Sequence, residues 1–432
     1  MGVRTEGTSD MARLAIGRRT FLAGGAGASA AALIGATAPG AAQPAANALR
    51  PLALPPPISG AERLERLSKA RALMARHGIG AIIVEPGASL DYFTGVQWWR
   101  SERLTAAVIP AAGEPIIVTP FFEKPSVEES LKVPAEVRTW NEHAVPLKLV
   151  ADFLKERGAA GSPVGFEETN RYFILDKLQQ QLPGLRVVSA NPVVRALRMI
   201  KSPAEIALMK AAADVTVAAF RAIHPRIGEG MTAGRVKEMF AEAVGALGGA
   251  NGSGLVLFGP ASALPHGTGK PQQLARGDVV LLDCGCEVHG YQSDISRTYV
   301  FGADPTAEQR KVWEQMHRGQ QIAFAAAKVG VPAGSVDDAV RRAYESWGYG
   351  PGYRLPGLSH RTGHGIGMEG HEPINLVHGE TTPLAPGMCF SDEPGLYLPG
   401  KFGVRLEDCF HMTADGPRWF SVPPPSIDDP FG

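Results

Sequence analysis

The sequence predicts an α/β chain of two domains behind an export segment, and three observations carry that prediction. First, 432 residues, 44% of them hydrophobic and 20% charged, supply enough chain for two or three ordinary soluble domains. Second, helical and strand periodicities alternate after residue 60. Third, a strong helix-start signal at residues 202–205 opens a second run of long helices and strands, and this run holds most of the residues able to do chemistry. The 43 basic residues balance 43 acidic ones, so no long-range field gathers phosphate backbones. Without a basic stripe, nucleic acid is set aside as a partner. Cys284, Cys286, Cys389 and Cys409 are too few for a disulfide scaffold and form no pair of CxxC motifs, so packing must supply the folding energy.

Residues 1–48 read as an address. Gly17-Arg18-Arg19-Thr20-Phe21-Leu22 precedes an apolar run of small residues, Ala23 to Ala38, with no acidic residue. At about 16 residues this run is shorter than the roughly 20 that a membrane-spanning helix needs. The pattern is that of a twin-arginine signal, cleaved between Ala38 and Ala48, and implies a periplasmic or extracellular protein. Residues 49–60 are a proline-rich extended linker.

The first domain, residues 61–194, opens with a helix whose face is Leu64, Leu67, Arg71 and Met74. Gly78 stops it, and Ala81–Val84 follows as a strand. Apolar runs at 106–109 and 116–118 predict a hairpin. Trp98 and Trp99 suit either the core or a wall facing substrate or a second subunit. The second domain, residues 195–425, begins with Ser202 as N-cap, Pro203 in the first turn and Glu205 reaching back, a capping box that starts a long helix with Ile206, Met209, Ala213, Val217 and Phe220 inward. Further helices are expected at about 306–329 and 336–347, and residues 426–432 form a tail.

An apolar strand, Val279 to Leu282, runs into Asp283, and Asp294 follows eleven residues later. A carboxylate beside apolar strand needs a cation, a hydrogen-bond network or a metal. His364 lies between glycines that permit close approach, and His371 follows at seven residues. If the turn at Pro399-Gly400 centres a hairpin, Glu393 and Glu407 stand opposite each other, each seven residues from the centre. Opposed glutamates repel unless something positive lies between them: a divalent ion, a shared proton or a bridging arginine. Asp283, Asp294, His364, Glu393 and Glu407 together offer four hard oxygen donors and one imidazole, a set suited to two divalent ions of the Mn, Co, Zn or Fe type. Arg405 shares strand parity with Glu407 and could pair with it or with a substrate carboxylate. Cys389 and Cys409 share the parity of these strands, with no disulfide implied.

The stretches Pro265-His266-Gly267, LLDCGCEVHGYQSDISRT, HRTGHGIGMEGHEP, FSDEPGLYLPG and FGVRLEDC resemble the dinuclear metallopeptidase family of pita-bread fold, which includes methionine aminopeptidase, aminopeptidase P, prolidase and the metal-free creatinase. The resemblance is greatest to the Xaa-Pro peptidase branch, and Asp91-Tyr92-Phe93-Thr94-Gly95 with Ser101-Glu102-Arg103 resembles a creatinase-type N-terminal domain. It implies a creatinase-like N-terminal α/β domain and a pita-bread α+β catalytic domain. It also implies two divalent ions, manganese foremost. Asp283 would chelate one ion, Asp294 and Glu407 would bridge both, and His364 and Glu393 would complete the other. Glu393 would take the proton of a metal-bridging water, and His266 and His371 would hold substrate and steady developing charge. The implied substrate is a small peptide with proline after the scissile bond, and the implied assembly is a homodimer or higher homo-oligomer. A non-peptide C–N hydrolase or metal-dependent lyase on the same fold is the alternative, and a non-catalytic binding scaffold the reading from another class.

Overall fold

The computed structural model describes residues 49–432; the export-signal reading falls on residues 1–48, outside the described residues. Ser59 caps helix α1 (Gly60–His77), and Gly78 ends it in the left-handed conformation that the sequence led one to expect of a glycine there. The buried face of α1 differs from the apolar spacing: Leu67 and Met74 are inside, but Leu64 is exposed and Arg63 and Arg66 are buried. Apolar periodicity misses these arginines because ion pairs to Asp91 and Glu205, not hydrophobicity, take them inside.

Strands β1 (Ala81–Val84), β2 (Ala106–Pro110), β3 (Ile116–Pro120), β4 (Glu136–Trp140), β5 (Val164–Phe166) and β6 (Val187–Ser189) form one mixed sheet in the order β4-β3-β2-β1-β5-β6. The expected hairpin is the antiparallel β2–β3 pair. All four residues of β1 are buried, because both faces of the sheet are covered. Ala81 and Ile83 pack towards the helices α4 (Pro146–Glu156) and α5 (Tyr172–Gln181), whereas Ile82 and Val84 meet α1 and α2 (Ala88–Thr94). The short helices α3 (Lys124–Ser130) and α6 (Val194–Arg198) complete this part. Trp99 is 68% exposed and stacks on the half-buried Trp98, so it is no core residue.

The capping box forms as the sequence predicts: the Glu205 amide donates to Ser202 Oγ at 3.2 Å, and the Ser202 amide donates to Glu205 at 2.7 Å. It starts α7 (Pro203–Ile223), which with α8 (Ala233–Leu247) covers a sheet of β7 (Ala250–Phe258), β8 (Val279–Val288) and β10 (Ile295–Val300), with β9 (Tyr291–Gln292) beside β8. The next helices, α9 (Ala307–Ala326) and α10 (Gly334–Ser346), end slightly before the expected limits. They cover a second sheet, ordered β12-β11-β13-β16-β17, built from β11 (Gly363–Gly365), β12 (Glu372–Leu376), β13 (Cys389–Asp392), β16 (Asp408–Thr413) and β17 (Gly416–Trp419). A separate hairpin of β14 (Leu396–Leu398) and β15 (Phe402–Val404) extends the β13–β16 pair. The two sheets meet where Ser296 and Glu407 exchange both backbone hydrogen bonds, at 3.2 and 3.1 Å.

Candidate metal centre

This seam is where the acidic residues gather. Asp392 pairs with Asp408, and Leu396 pairs with Val404, so Glu393 and Glu407 occupy matching positions in the gap between the two ladders. There each strand changes partner, the Glu393 amide donating to the Thr362 carbonyl and the Glu407 amide to Ser296. Asp283 on β8 is aligned with Ser296 on β10, which brings its carboxylate to the same seam. His364 arrives from β11, whose backbone lies so close to β13 that a Cβ at Gly363 would stand 2.1 Å from the Ser391 carbonyl.

One ligand atom from each of Asp283, Asp294 and Glu407 lies within 4.8 Å of the others, and the same holds for His364, Glu393 and Glu407. His364 Nδ1 lies 3.0 Å from the Gly365 carbonyl, a bond that puts the ring proton on Nδ1 and leaves the Nε2 lone pair facing Glu393 at 3.2 Å and Asp294 at 3.9 Å. Burial, and then the charge of Asp283, pushes Asp294 up to about 8. Burial and Asp294 raise Glu407 well above the ordinary carboxylate range. Burial works against ionised Glu393 too, but in the metal-free protein the pair holds a proton on His364 Nε2, raising the imidazole and bringing Glu393 down to about 2; a cation would take the place of that proton. Glu407 Oε1 is buried with no hydrogen-bond partner. An orphaned carboxylate oxygen amid mutually repelling acids, with an imidazole lone pair turned inward, fits divalent cations; the donor set is hard, without thiolate.

The other expected site residues lie around this cluster. His266 is exposed in the loop before β8, next to Pro265, whose carbonyl accepts from Arg405. His371 lies at the rim, its ring centroid 3.9 Å from that of His364, and forms a third close group with His364 and Asp294. Arg405 departs from expectation: its guanidinium pairs with Asp283, with Nε donating to Ser296 Oγ at 3.2 Å and Nη1 to Tyr397 OH at 3.0 Å. Strand parity turned it towards Glu407, but the seam brings β8 nearer to its tip. The four cysteines are free and buried.

Several residues here have no signal in the sequence beyond their neighbourhood. Ser296 Oγ lies 2.9 Å from Asp283 Oδ1 and 2.8 Å from Glu407 Oε2, and its single proton serves one at a time. His360 Nε2 lies 2.8 Å from Tyr397 OH. Arg361 donates to His371 Nδ1 at 3.0 Å. Glu372, beside His371, is held by Lys201 at 2.9 Å and Arg198 at 2.6 Å. Position two along a strand from Asp294 could have singled out Ser296; the others depend on contacts between distant segments.

Residues 207–414 match metallopeptidase family M24, and residues 66–200 match the creatinase/prolidase N-terminal domain. The chain is 36% identical over 361 residues to a probable dipeptidase PepE of Mycobacterium bovis, covering 81% of this chain and 92% of that one. It is 28% identical over 361 residues to an Xaa-Pro dipeptidase of Pyrococcus horikoshii, covering 82% and 96%. The crystal structure of dipeptidase PepE from Mycobacterium ulcerans superposes with a TM-score of 0.77 at 33% identity, over 85% of this chain and 98% of that one. With the acidic seam where the catalytic half of that match lies, the chain belongs to metallopeptidase family M24, a family of metal-dependent enzymes, and carries a creatinase-type domain ahead of its pita-bread catalytic domain.

Proposed function

We propose that the protein hydrolyses the peptide bond before proline in short peptides. The observation that carries this reading is the convergence of Asp283, Asp294, Glu393 and Glu407 with His364 on one seam, with Glu407 Oε1 left unpartnered. Relatives named dipeptidase and Xaa-Pro dipeptidase support the substrate class. The five residues would hold two divalent ions, manganese by preference, which when bound polarise a carbonyl and lower the pKa of water. The chain's own residues do the rest. Glu393 holds and passes a proton at a carboxylate oxygen 3.2 Å from His364 Nε2. His371, whose Nδ1 accepts from Arg361, carries its ring proton on Nε2 and offers it to substrate, and His266 stands ready on the opposite loop. Arg405 fixes Asp283 and, through Tyr397, the neighbouring hairpin. An imide nitrogen before proline gives a peptidase no amide hydrogen to grip, which favours recognition through the carbonyl and the termini.

The test is hydrolysis of Ala-Pro, Met-Pro, Gly-Pro-Ala, Ala-Ala and creatine by protein stripped of metal and reloaded with Mn, Co or Zn. Metal-restored cleavage before proline is expected; two bound ions per chain with no proline peptide cleaved would favour the lyase or non-peptide reading. We further propose export by the twin-arginine route, supported by Arg18-Arg19 and the apolar run after it, and checked by whether Arg18→Lys with Arg19→Lys abolishes secretion of the full chain. A homodimer or higher homo-oligomer, suggested by the family resemblance, is checked by sedimentation.

A further inference from the structure

The loop that carries His371 to the rim of the seam is tied down from a distance. It runs from Ile366 to His371, between β11 and β12, and folds around the carboxylate of the next residue, Glu372. The Met368 and Glu369 amides donate to that carboxylate at 2.9 and 3.2 Å, and the Gly367 amide donates to the Glu369 carbonyl at 3.1 Å. Lys201 takes the other Glu372 oxygen at 2.9 Å, so close to Gly367 that a Cβ there would stand 2.7 Å from Lys201 Cε. That single ammonium already balances the charge of Glu372. Arg198 is a second cation, and its contacts reach further. Nη2 meets Glu372 at 2.6 Å and Glu369 at 2.7 Å, and Nη1 donates to Ser89 Oγ on α2 at 3.0 Å. One planar fork therefore joins the middle of the loop, its end and the N-terminal domain.

The pairing with Glu369 does not serve burial. That side chain is 47% exposed, and a carboxylate in water needs no counter-ion, so what the contact fixes is the path of the loop. His371 is where the path is felt. One peptide bond joins it to Glu372, so holding that carboxylate holds the backbone from which the imidazole projects. The ring stacks on His364 at 3.9 Å between centroids. Among the described residues its one hydrogen bond is from Arg361 to Nδ1 at 3.0 Å, which fixes the tautomer and leaves the ring's position to the backbone. We propose that Arg198 is a positioning residue for the reaction: by clamping Glu369 and Glu372 to the domain junction it sets where His371 stands over the metal centre. The proposal rests on the Xaa-Pro peptidase reading, in which His371 serves the substrate.

The test is a double-mutant cycle on metal-loaded enzyme with Ala-Pro, kcat and KM being measured separately. Arg198→Ala should lose about tenfold, chiefly in kcat, because a donor used in the transition state and displaced by about 1 Å can cost up to about 100-fold. In the His371→Ala background the same change should alter kcat/KM by less than about twofold. A second loss of about tenfold there, as independent contributions would give, overturns the proposal. So does a loss confined to KM, or an Arg198→Ala enzyme within about twofold of the parent. Arg198→Lys should recover only part of the rate, since one ammonium does not span two carboxylates as a fork does. If Arg198→Ala melts below the assay temperature, Glu369→Gln at its half-exposed position decides the matter. A loss of about threefold in the parent and none beside His371→Ala is expected, and an unchanged rate in the parent overturns the proposal. Unaltered enzyme that binds two ions yet cleaves no proline peptide shows, before any variant is made, that the peptidase reading has failed and takes the proposal with it.

Discussion

Two buried acidic groups in the catalytic half are treated in opposite ways. Glu372 is neutralised by the chain: Lys201 and Arg198 reach it from the domain junction, and the Met368 and Glu369 amides donate to it at 2.9 and 3.2 Å. Burial disfavours its charge, yet the two cations bring it down to about 2. At the seam, Arg405 is committed to Asp283, Glu407 keeps an unpartnered oxygen, and both Asp294 and Glu407 are raised. Compensation from within makes a fastener between domains; compensation left to an outside cation makes a binding site.

The largest effect should come from Glu407→Gln. Activity is expected to fall at least about a thousandfold, with loss of bound metal by elemental analysis, because several kcal/mol of charge stabilisation depends on the ligand set. The metal-free variant should nevertheless be more stable than the metal-free parent, by about 1–3 kcal/mol in urea, since the cost of holding a buried carboxyl protonated above its ordinary pKa is gone. A less stable variant would break the comparison. Glu372→Gln should do the reverse, costing about 3–5 kcal/mol by stranding Lys201, whose side chain is 2% exposed.

The pH dependence sharpens the same contrast. Glu372 titrates near 2 when folded against an ordinary 4.5, so its stabilisation is complete above about pH 4.5 and is lost as pH falls towards 2. The loss amounts to about 3 kcal/mol and should vanish from the urea series of the Glu372→Gln variant. Metal-free protein should show the opposite slope at the seam. Asp294 is raised from 3.8 to about 8, so stability should grow as pH falls from 8 towards 4 and the slope should flatten on metal loading. The smallest expected change is at Asp392, fully buried with both carboxylate oxygens unpartnered: Asp392→Asn should raise stability by about 1–2 kcal/mol, read as a higher melting temperature.

How much of this was legible in the sequence follows from the range of each interaction. The α7 capping box, the β2–β3 hairpin and the Glu393/Glu407 register around Gly400 depend on residues a few positions apart, and periodicity or symmetry exposes them. Arg63 and Arg66 were invisible because their buried partners come from α2 and α7. Arg405 was aimed at Glu407 by parity, whereas its partner lies 122 residues away on β8. Ser296, Arg361 and the Glu372 cations act the same way, through contacts that no local pattern records. Of the two readings of Trp99, the core one failed because hydrophobicity says that a side chain can be buried, and not that a surface is available to bury it.

The bridge between Ser296 and Glu407 also has a kinetic meaning. Its partners are 111 residues apart, so the seam carries a high contact order, and the entropy of closing that loop is met before the joint returns any enthalpy. Asp283 and Asp294 leave the ribosome long before Glu393 and Glu407, and neither half of the chain holds a complete coordination sphere. Tight ion retention therefore reports a finished chain, while the finished chain folds without the ion and takes it up afterwards.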